Sequence, residues 1–410
     1  MLEAAARLKV ISRIKAIVVK HHFNIGNVDY SDWSRAVDEK ISTLLTGDDN
    51  AFEEGIRSLL CQLKSSHTNF CRSDANSTMP QHAIGATLRS VPGIDAPRWI
   101  FLDVFDDSPA ACANISPGHL LVAVNGTPAA PPSFPVFRFG QEHYVTVELP
   151  KEKETRNVVV IVPPKAPNGR RPPLIEPKSI TYRMLRNIGI LKIPFFPGAF
   201  GIRFSSLLDA AVESLKAQGC NCLIIDLRGC LGGSLGFASL VSYLCPDRIP
   251  IGFDITRKRL KRGYTVEQLP RVPMPNTKLG LLFCLARFSV QDKSLLLLTQ
   301  GLGKQPFHGR VVVLVNEWTN SAGEMAAQFA KDTKLATVVG IQTRGNVLGS
   351  AMFNAGHRYQ LYLPIFGWYS PSGNCAEGSG VLPDVPVDVD PERLAYGDDA
   401  QVKKALELLQ

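Results

Sequence analysis

Residues 311–327 read VVVLVNEWTNSAGEMAA, and this stretch predicts a strand, a turn and a helix in succession. The β-branched run 311–315 is typical of a buried strand. A polar turn follows, and Ser321 then begins a segment of good helix formers. A strand, a tight turn and a helix hold a serine hydroxyl beside the N–H groups at the positive end of the helix. Such a serine suits nucleophilic chemistry whose product is an oxyanion.

The same serine also has a purely structural interpretation. Ser321 and Glu324 have the spacing of a capping box, in which the two side chains satisfy the first backbone groups of a helix without any chemistry. This segment alone favours the structural interpretation, because most such serines are caps, so evidence for catalysis has to come from the rest of the chain.

Three further segments, far apart in the chain, carry residues that suit the nucleophilic interpretation. They are SSHT at 65–68, CLIIDLRGCLGGSLG at 222–236 and EGSGVLPD at 377–384. In sequence order, the four segments together resemble the C-terminal processing (tail-specific) serine protease family. Four separated motifs in the same order are more specific than any one of them.

The resemblance extends to one branch of that family. A first branch uses a serine–lysine pair, but the corresponding position here is Asn346, and an amide cannot take a proton from serine. The tricorn-like branch instead uses a Ser–His–Ser–Glu tetrad. The tetrad that the resemblance implies consists of Ser321 as the nucleophile, His67 as the base, and Ser66 and Glu377 as the relay.

These residue types fit the chemistry of peptide-bond hydrolysis. A serine hydroxyl needs a base within hydrogen-bonding reach, and a histidine, with an ordinary pKa of about 6.5, takes the proton and returns it to the leaving amine. A further group must hold the correct tautomer of that histidine. The oxyanion needs backbone donors, for which the candidates are the N–H groups of Ala322 and of Gly232 or Gly233.

Each residue has an ordinary interpretation when it is taken alone. His67 is one of eight histidines, Ser66 and Glu377 have the composition of solvated loops, and the glycine pair 232–233 could be a plain turn after a strand. The combination and order of the motifs favour catalysis.

The chain as a whole is predicted to be a multidomain α/β protein. Residues 1–75 carry apolar residues at helical spacing, and residues 82–165 carry short apolar runs between glycines, prolines and asparagines. The predicted domains are a helical N-terminal segment (1–75), a PDZ-like peptide-binding domain (82–165) and a Clp protease/crotonase-like α/β serine protease core (178–410). A Pro-, Lys- and Arg-rich linker at 163–177 joins the last two.

Two finer expectations concern ligand access. Ile84 and Gly85 occupy the place of the family's carboxylate-binding loop, which implies capture of a peptide C-terminus by strand addition. Residues at about 253–308 show little regular pattern, which predicts an insertion in the core and a possible lid over the cleft.

Composition limits the other function classes. The 410 residues are 45% hydrophobic and 20% charged, which is ordinary for a soluble enzyme. The net charge of +8 does not indicate nucleic-acid binding, because the densest basic cluster, RKRLKR at 257–262, has no interleaved aromatic residues. The nine cysteines form no C-x-x-C pair, so neither a metal site nor a redox motif is predicted.

Compartment and partners follow more indirectly. The N-terminus has no signal-peptide pattern and is too charged to span a membrane, and the cysteine usage fits a reducing compartment. We therefore expect a cytoplasmic protein, or an exported one if a leader has been removed. No cofactor is implied, and the expected partners are a peptide or unfolded protein substrate and possibly further copies of the chain.

Two other functions remain open at this point. The first is a non-catalytic peptide- or ligand-binding protein on the same fold, which would not need all four tetrad residues. The second is an acyl-CoA enzyme on the crotonase fold, which would need neither a nucleophilic serine nor a PDZ-like segment. Covalent labelling of Ser321 separates both from a protease.

Overall fold

The structure is a computed structural model, and it describes most of the chain. The described residues are 2–25, 27–75, 77–150, 152–164, 176–198, 201–275, 279–280, 282–283, 286, 294–301, 307 and 309–410. They form two compact units, each assembled from separate chain segments. The first unit comprises Met1–Ala75, Arg248–Gln300 and Gly345–Gly380, and the second comprises Asn76–Asp247, Gly301–Arg344 and Val381–Gln410.

The first unit packs helices against an antiparallel sheet. Its helices are Ala4–His21, Tyr30–Glu39, Ile41–Thr46, Asp49–Cys61 and Arg257–Arg262. The predicted apolar face of the first helix is buried through Val10, Ile11 and Ile14, and it joins one core with Phe70 and Tyr359. The N-terminal helices therefore complete their core with residues from the far end of the sequence.

The sheet of the first unit is centred on its longest strand. Its strands are Asn69–Arg72, Pro250–Thr256, Arg271–Pro273, Leu295–Leu298, Gly349–Gly356 and Tyr359–Tyr369. Tyr359–Tyr369 pairs antiparallel with Asn69–Arg72 along one part and with Pro250–Thr256 along another, while Gly349–Gly356 forms a hairpin with it.

The second unit contains the β-rich segment predicted at 82–165. Its main sheet consists of Ala86–Val91, Arg98–Val104, Leu120–Val124, Glu142–Glu148 and Thr155–Ile161, adjacent in that order and antiparallel. Shorter elements are the strands Ser77–Thr78, Thr127–Pro128 and Phe137–Arg138 and the helices Pro80–Ala83 and Pro109–Cys112. A cluster of buried side chains that includes Phe101, Val145 and Val160 forms its core.

The second unit also contains the predicted α/β sheet. Its strands, in spatial order, are Thr181–Leu185, Ile188–Lys192, Cys222–Asp226, Arg310–Val315, Thr337–Gly340 and Val385–Pro386. All neighbours are parallel except the first pair. The helices of this region are Ile202–Ala217, Gly236–Ser242, Ala322–Thr333, Pro391–Leu394 and Ala400–Leu409. The predicted multidomain α/β class is thereby confirmed.

The division of the chain differs from the predicted domains. Residues 1–75 do not form a unit alone, because their helices need strand Tyr359–Tyr369 to bury their apolar face. The region at 253–308 does interrupt the second unit, but it is not irregular, since strands Arg271–Pro273 and Leu295–Leu298 belong to the sheet of the first unit. Most of the linker at 163–177 and part of the possible lid lie outside the described residues.

Among the described residues, no helix has both the length and the apolar character needed to cross a bilayer.

Candidate active site

Ser321 lies where the second unit turns from a strand into a helix. Strand Arg310–Val315 ends at the carboxyl edge of the parallel sheet, a five-residue turn follows, and helix Ala322–Thr333 begins directly after Ser321. The turn is held by backbone hydrogen bonds from Thr319 N–H to Asn316 O at 2.9 Å and from Gly323 N–H to Asn320 O at 3.0 Å. The local fold predicted from this stretch is therefore present.

The backbone of Ser321 distinguishes between a nucleophile and an ordinary cap. Its φ is 52° and its ψ is −114°, a region that non-glycine residues rarely adopt and that costs about 1–3 kcal/mol. Capping residues normally have extended backbone, as do Asp29 and Asp48 before two helices of the first unit. The capping box is present as well, and in it the Glu324 carboxylate accepts the Ser321 N–H at 3.0 Å. The strained turn nevertheless matches a nucleophile elbow better than a cap.

The glycine turn at 229–233 approaches Ser321 closely. Gly232 has a φ of +83°, and a Cβ built on it would lie 2.7 Å from the Ser321 Cβ and 3.4 Å from the Ala322 nitrogen. Only glycine fits there without displacing a neighbour. Gly233 is exposed, and the residues on either side of it bond to Phe196. Of the three predicted oxyanion donors, Gly232 and Ala322 are therefore brought together with Ser321.

The other predicted tetrad residues form one hydrogen-bonded set within the first unit. The Ser66 hydroxyl donates to Glu377 Oε2 at 2.8 Å, and the Ser66 N–H donates to Glu377 Oε1 at 2.7 Å. The Ser66 Oγ also lies 3.0 Å from His67 Nδ1. Val347, next to the position where the other branch has its lysine, donates its N–H to Glu377 Oε2 at 3.1 Å.

This bonding determines the tautomer of His67. Ser66 Oγ has one proton, and Glu377 takes it in a hydrogen bond because a carboxylate can only accept. The 3.0 Å contact with His67 Nδ1 then requires the imidazole to donate. We infer that the proton of neutral His67 is on Nδ1, which leaves Nε2 as the basic nitrogen.

An unusual backbone conformation makes the contact between adjacent residues possible. The chain leaves helix Asp49–Cys61, and both Lys64 and His67 then take positive φ values, 48° and 53°. The left-handed conformation at His67 turns its ring back towards the preceding Ser66. Strand Asn69–Arg72 follows immediately and anchors this turn to Tyr359–Tyr369.

Other nucleophiles and bases in the second unit are less suitable. Burial raises the pKa of the Cys230 thiol to about 12, so this neighbour of the glycine turn stays protonated. Lys331 is in the last turn of helix Ala322–Thr333, about 15 Å along the axis from Ser321, and it donates to Leu382 O at 2.7 Å.

Ile84 and Gly85, the predicted carboxylate-binding residues, lie in a buried loop between a short helix and a strand. Ile84 is fully buried, its N–H donates to Pro80 O and its carbonyl accepts the Ala110 N–H. A Cβ on Gly85 would lie 2.5 Å from the Ser108 Cβ, so this loop is packed against the short helix that follows. The Ile84 backbone groups are thus used within the fold, and carboxylate binding by this loop stays a prediction.

Two polar groups beside the predicted site residues are not evident from the sequence. The backbone N–H of Val347 carries no sequence signal at all. Asn316 comes directly after an apolar strand, where the sequence indicates only a polar turn, yet its side chain is 2% exposed. A polar residue at the carboxyl end of a parallel strand is the signal that could have identified it.

The residues that carry the glycine turn and Ser321 match a known family model, and the match spans residues 187–387. The matching model is that of peptidase family S41. The resemblance to C-terminal processing proteases is confirmed by this match.

Curated relatives and solved structures agree with the S41 assignment. A "Probable CtpA-like serine protease" of Staphylococcus epidermidis is 25% identical over 286 residues, covering 68% of this chain and 49% of that protein. The tricorn protease of Thermoplasma volcanium is 30% identical over 103 residues, covering 25% of this chain and 10% of that protein. The chain therefore spans about half the length of the first of these relatives.

The fold has close counterparts among solved structures. A photosystem II D1 C-terminal processing protease superposes with a TM-score of 0.57 at 17% identity, covering 98% of this chain and 97% of that one. At this identity the likeness shows the fold of the chain, and the roles of its residues have to be argued from their own geometry.

Proposed function

We propose that the chain is a serine-type endopeptidase that hydrolyses peptide bonds of proteins or peptides near their C-termini. In this proposal Ser321 is the nucleophile, His67 is the general base, and Ser66 and Glu377 form the relay. The observation that carries it is the hydrogen-bonded chain from Glu377 through Ser66 to His67 Nδ1.

Each set of residues supplies what the other needs. The relay orients an imidazole whose Nε2 can take a proton. The proposed source of that proton is the hydroxyl of Ser321, which lies on a strained backbone at a helix start. As His67 becomes an imidazolium, the Ser66 hydroxyl and the Glu377 carboxylate stabilise its charge. The carboxylate need not take a proton for this, which matches its role in other serine triads.

The developing oxyanion is proposed to bind at the start of helix Ala322–Thr333. Donors aimed at the charge of the transition state are worth about 2.7–4 kcal/mol each. The N–H of Ala322 and a backbone N–H of the 232–233 glycine pair are the proposed donors, and the close approach of Gly232 to Ser321 supports this pairing.

Covalent labelling tests the proposal directly. A fluorophosphonate should modify the native protein at Ser321 and leave Ser321→Ala unlabelled, with peptide cleavage lost in parallel. The matched control is Ser206→Ala, which removes an exposed helical hydroxyl of the same unit. If the native protein resists the label and cleaves no member of a peptide library, the non-catalytic alternative on the same fold is correct.

The preference for C-termini needs its own measurement. Matched peptides with a free C-terminal carboxylate or an amide should be cleaved at different rates by the full chain, with the free acid favoured. Carboxylate capture by the loop of Ile84 and Gly85 stays part of this proposal, although the Ile84 N–H already donates to Pro80 O. Equal rates would leave this segment with a structural role and the peptidase proposal intact.

Compartment and assembly belong to the same proposal. The structure shows no disulfide among the eight described cysteines, which supports a reducing compartment such as the cytoplasm. Light scattering after size exclusion separates a monomer from a homo-oligomer.

A further inference from the structure

One buried side chain joins the nucleophile turn to the glycine turn. The Asn316 Oδ1 accepts the N–H of Gly229 at 3.0 Å and the N–H of Trp318 at 3.0 Å. Gly229 begins the turn that brings Gly232 against Ser321, and Trp318 lies in the turn that ends at Ser321. The same amide oxygen therefore fixes both chain segments relative to each other.

The nitrogen of the same amide is held from the β-rich sheet. The Asn316 Nδ2 donates to the Asp103 carboxylate, with distances of 3.2 and 3.0 Å to its two oxygens. Asp103 is in strand Arg98–Val104, is 7% exposed and accepts the Thr87 hydroxyl at 2.6 Å. Because the carboxylate can only accept, it fixes which end of the Asn316 amide points towards the two turns.

The remaining bonds of the turn support the same arrangement. The Thr319 hydroxyl accepts the Asn316 N–H at 3.0 Å and donates to Leu227 O at 2.9 Å. The Asn320 N–H donates to Cys230 O at 3.0 Å. Every residue of this set lies in the second unit, and the set leads to Ser321 from both sides.

We infer that Asn316, oriented by Asp103, is a positioning residue that keeps Ser321 in register with the glycine turn at 229–233. The inference rests on the proposed function and adds to it a dependence of the nucleophile on the β-rich sheet. A catalytic group displaced by about 1 Å can lose about 100-fold in rate, so a bridge of this kind affects chemistry more than substrate binding.

The charges around the Asn316–Asp103 hydrogen bond determine which substitution is harmful. Burial raises the pKa of Asp103, while the cations Arg228 and Lys192 oppose that rise. Arg228 is itself paired with Asp226 and Asp399. In Asn316→Asp, a second carboxylate would face Asp103 at about 3 Å, and one of the two would have to take a proton.

The test is an exchange of the two side chains. We compare Asn316→Asp, Asp103→Asn and the Asp103→Asn/Asn316→Asp double variant with the native protein. The double variant restores a donor facing a carboxylate, and its carboxylate can still accept the N–H groups of Gly229 and Trp318. The control is Asp107→Asn, which makes the same exchange at an exposed carboxylate paired with Lys178.

We expect Asn316→Asp to lower kcat and the fluorophosphonate labelling rate by about 10- to 100-fold, with a larger loss at pH 8 than at pH 6 and little change in KM. Asp103→Asn should cost only a few-fold, since its amide oxygen can still accept from Asn316. The double variant should return to within about five-fold of the native rate. Thermal unfolding of each variant shows whether the protein is folded.

Two results would overturn the inference. One is a folded Asn316→Asp variant with native kcat and labelling rate. The other is a folded double variant that stays as slow as Asn316→Asp, and this arm decides the question if the single variant does not fold. Failure of the proposed function looks different, because the native protein and Ser321→Ala would then be equally inert.

Discussion

The Glu377 carboxylate accepts two hydrogen bonds from Ser66, one from the N–H at 2.7 Å and one from the hydroxyl at 2.8 Å. The two residues are 311 positions apart in the chain. Both oxygens of the carboxylate are used, so its orientation is fixed, and with it the direction in which the Ser66 hydroxyl points. His67 Nδ1 then meets an acceptor rather than a donor.

Glu377→Gln should reduce kcat by about 10- to 1000-fold, less than loss of His67. An amide has one acceptor oxygen, so one of the Ser66 donors would face an NH2 group. Steady-state cleavage measures the loss, with the exposed Glu407→Gln as the control. A native rate in Glu377→Gln would reduce the proposed tetrad to Ser321 and His67.

His67→Ala should lose nearly as much activity as Ser321→Ala, at least about a thousandfold. The two act on one proton transfer, so the double variant should be no slower than either single variant. In the native protein, the cleavage rate should rise with pH as His67 loses its proton, because only the neutral imidazole can act as the base. If Lys331→Ala were instead the inactivating change, a serine–lysine mechanism would be indicated.

Gly232→Ala should inactivate the protein more than it destabilises it. The added methyl would lie 2.7 Å from the Ser321 Cβ, and the φ of +83° is unfavourable for alanine. Gly126→Ala is the matched control, because its φ is +76° and no atom lies within 4 Å of an added Cβ. Cleavage rates and thermal unfolding of both variants separate displacement of Ser321 from backbone strain, and equal activities would contradict the prediction.

Asp254 should make the protein less stable as the pH rises. Burial raises the pKa of this carboxyl to about 8, whereas the unfolded chain has a value of about 3.9. Between these values the folded state keeps a proton that the unfolded state releases, so the free energy of unfolding falls with pH. Asp254→Asn cannot ionise, and it should raise the unfolding temperature by a few degrees at pH 8 and hardly at pH 4. An equal shift at both pH values would show that ionisation is not the cause.

The sequence could predict what depends on local pattern. The apolar run before Ser321 predicts the strand, and the helix formers after it predict the helix. The glycine pair 232–233 predicts that its backbone closely approaches a neighbouring group. The contact between Ser66 and Glu377 came from family resemblance, since no local rule connects residues so far apart.

The sequence could not predict strand pairings and hydrogen bonds between residues that are far apart in the chain. Strand Tyr359–Tyr369 has a clear strand pattern, but nothing in it specifies that its neighbours are Asn69–Arg72 and Pro250–Thr256. Arg271–Pro273 is too short and too polar to predict. Asn316 has the sequence context of an ordinary turn residue, because its hydrogen-bond partners Gly229 and Asp103 are far away in the sequence.

The discontinuous first unit has a consequence for the chain as it leaves the ribosome. Its helical segment emerges first but lacks Tyr359–Tyr369, the strand that completes its core. At about 5–20 residues per second, Glu377 is made roughly 15 to 60 s after Ser66. We expect a nascent chain to carry no complete histidine relay during that interval, so the proposed activity cannot begin before Glu377 has been made.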